Sequence, residues 1–94
     1  MARTAMTRAK KGPQRNTAPE AMLAPVMKDA LKKAGNLDPK TLGEICIGNV
    51  LQPGSGASSS RMGQFLADIP EEVPLYVVNR MCSSGLQAVM NIAT

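Results

Sequence analysis

The sequence predicts an α/β fold with a parallel component. Two short runs rich in β-branched residues, 44–51 and 75–79, alternate with helical patterns in the order helix, strand, helix, strand, helix. The composition, 44% hydrophobic and 19% charged, suits a packed chain and is too apolar for a wholly disordered one. At 94 residues the chain holds one small domain at most, with a marginal core. Two strands are too few for a sheet covered on both faces. The pattern therefore reads as the opening piece of a larger α/β protein.

The first helix follows Thr17-Ala18-Pro19-Glu20, which has the form of a capping box. Pro19 suits a first helical position, where its missing N–H is not needed. Met22, Leu23, Val26, Met27, Ala30, Leu31 and Ala34 then recur at spacings of three and four, as a core-facing stripe would. Gly35 is placed to end the helix, and Pro25 should kink or weaken its middle. Asp38-Pro39 predicts a turn or a short helical turn. The first strand covers 44–51. Gln52 to Ser60 reads as a loop whose serines cap a short helix through Arg61, Phe65 and Leu66. Its glycines complete neither G-x-G-x-x-G nor a Gly-Lys-Ser/Thr phosphate loop. Asp68-Ile69-Pro70 closes that helix, and 75–79 forms the second strand. The last helix runs from Ser83 to Thr94 with Leu86, Val89, Met90 and Ala93 on one face. With no C-cap and no following Gly or Pro, it reads as truncated.

The net charge of +4 is concentrated in an arm, residues 1–16, ahead of the domain at 17–94. Arg3, Arg8, Lys10, Lys11 and Arg15 precede the first acid, Glu20; the remaining six bases face seven acids. Such an arm is ordinarily a solvated tail. Nucleic-acid binding would want stacking aromatics beside the bases, and Phe65 and Tyr76 both lie elsewhere. An Arg-rich, acid-poor start also suits a mitochondrial transit peptide, but Gly12 and Pro13 weaken an amphipathic helix there. No apolar run is long enough to span a bilayer, and there is no signal-peptide core. With two cysteines and no histidine, the chain holds no disulfide framework and no Cys/His zinc site, and no metal is expected. Nor can it form a Ser-His-Asp or Cys-His arrangement by itself.

The chemistry concentrates at Asn79-Arg80-Met81-Cys82-Ser83-Ser84-Gly85. A β-branched strand runs straight into a helix, with Cys82 at the joint. The first amides of a helix lack internal partners and carry the positive end of its dipole, so they favour a thiolate and can bind a developing oxyanion. Ser83 and Ser84 add small polar groups, and Gly85 leaves room for close approach to the backbone. Ligands of open α/β sheets gather at the carboxyl ends of strands, where Cys82 falls. A buried, inert cysteine is the plain alternative. Cys46, between Ile45 and Ile47, reads as that kind of core residue, and no Cys46–Cys82 disulfide is expected in a reducing compartment.

The segment Val78 to Val89 resembles the acylated-cysteine motif of thiolases, most closely the peroxisomal type. The likeness extends to Arg3-Thr4-Ala5, to Leu42 through Gly54, and to Asp68-Ile69-Pro70-Glu71. It departs at Met81, where peroxisomal members usually carry glutamine, and at Ser58-Ser59-Ser60. The resemblance implies a partial thiolase fold: the first part of the N-terminal α/β/α half, with an incomplete sheet. It implies that Cys82 attacks the ketone of a 3-ketoacyl-CoA, releases acetyl-CoA and passes the acyl group to a second CoA, with its own N–H as an oxyanion donor. Ser83, Ser84 and Gly85 would support it. Family members also use a Gly-His-Pro histidine and a second cysteine in Cys-x-Gly, and Cys46 does not match the latter, so these 94 residues alone should be inactive. CoA would be substrate rather than cofactor, the full-length parent a dimer, and the compartment peroxisomal, with the mitochondrion as alternative. Acetoacetyl-CoA and sterol-carrier-type thiolases share the architecture. A different class of reading is a short non-catalytic protein that binds an acidic partner, or a longer thiolase subunit, through the arm.

Overall fold

The computed structural model describes residues 2–6, 11–14 and 16–94, with the side chain of Ser55 excepted. Arg8, Lys10 and Arg15 of the predicted basic arm lie outside the described residues.

Helix α1 (Pro19–Lys33) starts with Ala18 at its N-cap, and no side chain caps it. The predicted capping box does not form. Pro19 occupies the first helical position, so Thr17 precedes the cap, and Glu20 instead sits in the first turn near the positive end of the dipole. Pro25 does not break the helix. It lies on the exposed side, as does Ala21, whose carbonyl lacks an i+4 donor and can turn to water. Ala34 caps the helix, and Gly35 (φ +94°) and Asn36 (φ +55°) turn the chain away. A single 3₁₀ turn follows at Pro39–Thr41, where the Lys40 amide donates to Asp38 Oδ1 at 3.0 Å.

Strand β1 (Ile45–Gly48) and strand β2 (Leu75–Val78) pair in parallel, with Ile45 opposite Leu75 and Gly48 opposite Val78. Both are shorter than the apolar runs that predict them. Between them, Pro53–Gly56 forms a 3₁₀ turn and α2 (Ala57–Leu66) follows directly. The predicted serine caps are incorrect: Gly56, in the left-handed region at φ +69°, is the N-cap, and Ser58, Ser59 and Ser60 lie inside the helix. Left-handed backbone at that joint is open to glycine at little cost, so the helix begins before the serines are reached.

One face of the sheet carries the core. Ala24 and Met27 of α1 meet Ala67, Ile69 and Val73, and Ile45, Ile47 and Leu75 pack against them. Within the predicted stripe of α1, Met27 is buried and Leu23 and Leu31 border the core, but Ala30 and Ala34 are exposed and Ala24 takes the inner position. The segment after α2 is fastened by polar groups. Gln64, fully buried, donates from Nε2 to the carbonyls of Pro70 and Val73, each at 2.9 Å. Arg61 donates to Gln64 Oε1, Val73 O and Glu71 O, and its guanidinium lies 4.8 Å from the Phe65 ring centroid.

Helix α3 (Ser84–Ala93) covers the opposite face of the sheet. Two strands therefore do carry helices on both sides, contrary to the sequence expectation. The inward residues are small: Ser84 and Ala88 are buried. The apolar stripe of Leu86, Val89, Met90 and Ala93 turns away from the sheet, leaving Leu86 64% and Val89 66% exposed. No helix among the described residues is long and apolar enough to cross a membrane.

Candidate active site at the strand–helix junction

The junction is built from β2, five connecting residues and the first turn of α3. Strand pairing continues one step past β1, where the Asn49 amide donates to Val78 O at 3.1 Å. Asn79 then links two segments through one side chain. Its Oδ1 accepts from the Met81 amide at 2.9 Å, and its Nδ2 donates to Val50 O at 3.2 Å. Met81 is in the left-handed region at φ +53°, uncommon for a residue with a Cβ, and its side chain is 69% exposed.

Cys82 comes next, exposed and free, two residues before α3. The Cys82 amide meets no acceptor among the described residues. Ser83 is the N-cap by position, and its carbonyl accepts from the Gln87 amide at 2.9 Å. Its hydroxyl does not cap the helix but turns back to Arg80 O at 2.9 Å. Ser84 is buried. Its Oγ accepts from the Arg80 amide at 2.8 Å and donates to Met81 O at 2.7 Å. Gly85 is exposed, and a Cβ built there would meet nothing within 4 Å. The Arg80 guanidinium donates to Gln87 Oε1 at 2.7 Å, and Gln87 Nε2 donates to Asn91 Oδ1 at 2.6 Å, so a polar row follows α3 away from the cysteine.

Two residues have roles here that the sequence reading did not assign. Gly48 ends β1, and a Cβ there would lie 2.7 Å from the carbonyl carbon and oxygen of Ser84 and 2.8 Å from the Gly85 nitrogen. The start of α3 rests on bare backbone. A glycine within a strand pattern is the available signal for such an approach. Asn79 stands in the segment that the sequence marks, but its link to Val50, distant in sequence, gave no signal.

Cys46 lies away from the junction. Strand alternation turns it toward α3, half-buried, rather than into the core that Ile45 and Ile47 reach. It stands opposite Tyr76 in the ladder. The Tyr76 hydroxyl is held above its ordinary value of 10.0, chiefly by a hydrogen bond with the Cys46 side chain and then by desolvation, while a hydrogen bond with Asn91 acts in the opposite sense. Both cysteines are free. No cluster of His, Cys, Asp or Glu among the described residues could hold a metal ion. A cleft of about 300 Å³ opens between α1 and α2 beside the end of β1, lined by Met22, Val26, Asn49, Gln52 and Ser59 among others, but not by Cys82.

Comparison with known proteins places this geometry. The sequence model of the thiolase N-terminal domain matches residues 1–94. Peroxisomal 3-ketoacyl-CoA thiolase of Homo sapiens is 58% identical over 91 residues, which cover 97% of this chain and 21% of that protein. Peroxisomal 3-ketoacyl-CoA thiolase 1 of Petunia hybrida is 50% identical over 92 residues, covering 97% and 20%. The crystal structure of the dimeric peroxisomal thiolase of Saccharomyces cerevisiae superposes with a TM-score of 0.87 at 30% identity, over 98% of this chain and 24% of the yeast chain. The chain thus spans about a fifth of the length of the curated relatives it matches.

Proposed function

We propose, from the premise that this chain belongs to the thiolase family, that it supplies the acyl-accepting nucleophile of a 3-ketoacyl-CoA thiolase. The nucleophile is Cys82. Its thiolate adds to the ketone carbon of a 3-ketoacyl-CoA. The bond between that carbon and the next then breaks, its electron pair and one proton going to the departing acetyl-CoA. The shortened acyl group remains as a thioester on Cys82 until a second CoA thiol removes it. Covalent catalysis of this kind divides one difficult transfer into two easier ones.

The observation that carries this reading is the placement of Cys82. It is exposed at the carboxyl end of a parallel strand, and its own amide has no acceptor among the described residues. An oxyanion formed on the acyl carbon can take that donor without breaking an internal bond. Ser83, Ser84 and Gly85 support the turn: the first two bind the backbone before the cysteine, and the third leaves open space beside the first turn. The base and acid that move protons in this family are a histidine and a second cysteine. The sequence has no histidine, and Cys46 faces α3 from the sheet, so these 94 residues do not complete the reaction by themselves. CoA enters as substrate, and no bound cofactor is invoked.

The names of the relatives extend the proposal to the peroxisome and the yeast structure extends it to a dimer, and the shortening of a 3-ketoacyl-CoA by acetyl-CoA is the cleavage step of fatty acid β-oxidation. The test uses a full-length thiolase subunit that carries this segment. Treated with a 3-ketoacyl-CoA in the absence of free CoA, it should gain an acyl group on the peptide containing Cys82. Cys82→Ala should gain none. Acylation retained in that variant refutes the assignment.

A further inference from the structure

Met81 holds an unfavourable backbone conformation that its own side chain does nothing to secure. Its φ is +53°, and the side chain is 69% exposed. Both polar groups of its backbone are instead held by neighbours. Its N–H donates to Asn79 Oδ1. Its carbonyl accepts from the Ser84 amide at 3.1 Å and from the Ser84 hydroxyl at 2.7 Å. The same hydroxyl accepts from the Arg80 amide, so it closes a loop around Met81 and Cys82. Asn79 also reaches Val50 O, which ties the turn to the segment after β1. Ser84 itself is pressed against the backbone of Gly48.

Left-handed backbone at residue 81 reverses the chain between β2 and α3 and leaves Cys82 exposed at the helix start. A residue with a Cβ resists that conformation, whereas glycine adopts it freely. We infer that Asn79 and Ser84 are positioning residues that hold Met81 left-handed and thereby set where Cys82 presents its sulfur. This rests on the reading of Cys82 as the acylated nucleophile. Neither side chain is assigned contact with substrate.

The inference makes a distinctive prediction. If holding Met81 is what these side chains do, glycine at 81 should relieve the need for them. In the full-length subunit, single-turnover acylation of Cys82 is followed at saturating 3-ketoacyl-CoA, with substrate affinity measured separately. Ser84→Ala should slow acylation by about 10- to 100-fold, the scale of a small misplacement of a reacting group, while affinity changes less than about threefold. Asn79→Ala, at an exposed site less exposed to folding failure, should act in the same direction. Met81→Gly alone should acylate near the wild-type rate. Met81→Gly combined with Ser84→Ala should recover most of the loss.

A merely structural role for Ser84 would give no such recovery, since glycine restores neither hydrogen bond. Wild-type acylation rates in both Ser84→Ala and Asn79→Ala, or no recovery in the double variant, would overturn the inference while the nucleophile assignment stands. A wild-type subunit that never acylates at Cys82 would remove both.

Discussion

Gly48→Ala is a one-carbon change that probes how the cysteine-bearing helix is seated. The new Cβ would lie 2.7 Å from the carbonyl carbon and oxygen of Ser84 and 2.8 Å from the Gly85 nitrogen. Non-bonded carbon contacts settle near ~3.5–4.0 Å, so the overlap approaches about 1 Å. All three opposing atoms are backbone, and no rotamer change can clear them. The start of α3 must therefore retreat from β1, or β1 must bend. Overpacking of this kind costs about 1–3 kcal/mol, and a rigid backbone neighbour points to the upper end. The retreat also moves Cys82, and a shift of about 1 Å at a reacting group can cost ~100-fold in rate. Denaturant unfolding and single-turnover acylation of the full-length subunit measure the two effects. Stability and acylation both equal to wild type would refute the close seating of α3 on Gly48.

Two further predictions rest on other parts of the fold. Gln64→Leu should lower stability by about 1–3 kcal/mol, read as a shifted urea midpoint, because Pro70 O loses its Gln64 donor and the Arg61 guanidinium loses a side-chain acceptor. Tyr76 is the sole tyrosine of these 94 residues, so its phenolate absorbance reports one group. Its midpoint should lie above 10.0 and fall toward that value in Cys46→Ala, since the Cys46 hydrogen bond is the leading cause of the shift. The raised value means that the folded state holds the proton more firmly. The resulting stability is fully present below pH 10.0 and is lost as pH rises through the folded midpoint.

Much of the fold was legible because its elements are local. Apolar spacing placed α1, the β-branched runs placed β1 and β2, and Asp38-Pro39 marked the 3₁₀ turn that forms there. The errors share a cause. A capping box at Thr17 and serine caps at 58–60 are sensible by composition, yet helix starts are fixed by backbone conformation. Pro19 and the left-handed Gly56 set those starts first. The α3 stripe shows a deeper limit. Periodicity correctly groups Leu86, Val89, Met90 and Ala93, but it does not say which face meets the sheet. The first turn of α3 seats its backbone against the bare backbone of Gly48, and in that close approach the small Ser84 and Ala88 turn inward while the large residues turn out. Hydrophobicity alone would choose the reverse.

The two cysteines show why residue type is a weaker guide to chemistry than backbone context. Cys46 lies in mid-strand, half-buried on the face that meets α3 and opposite Tyr76 in the register. A nucleophile there would sit mid-strand under α3, with no helix start beside it and little room for an incoming carbonyl. Cys82 has the converse setting. The ladder has ended, the helix has not begun, and its amide faces no internal acceptor. Sequence could indicate that joint, because a strand ran into a helix without a linker. It could not indicate what keeps the joint open. The chain must reverse between Val78 and Ser84, and a relaxed reversal could bury the sulfur or satisfy the Cys82 amide internally. The left-handed Met81 is the alternative this fold adopts, and its backbone bonds to Asn79 and Ser84 offset the local strain. The exposed thiol and the unpaired amide are thus two consequences of one constrained turn, and a substitution that relaxes the turn should alter both together.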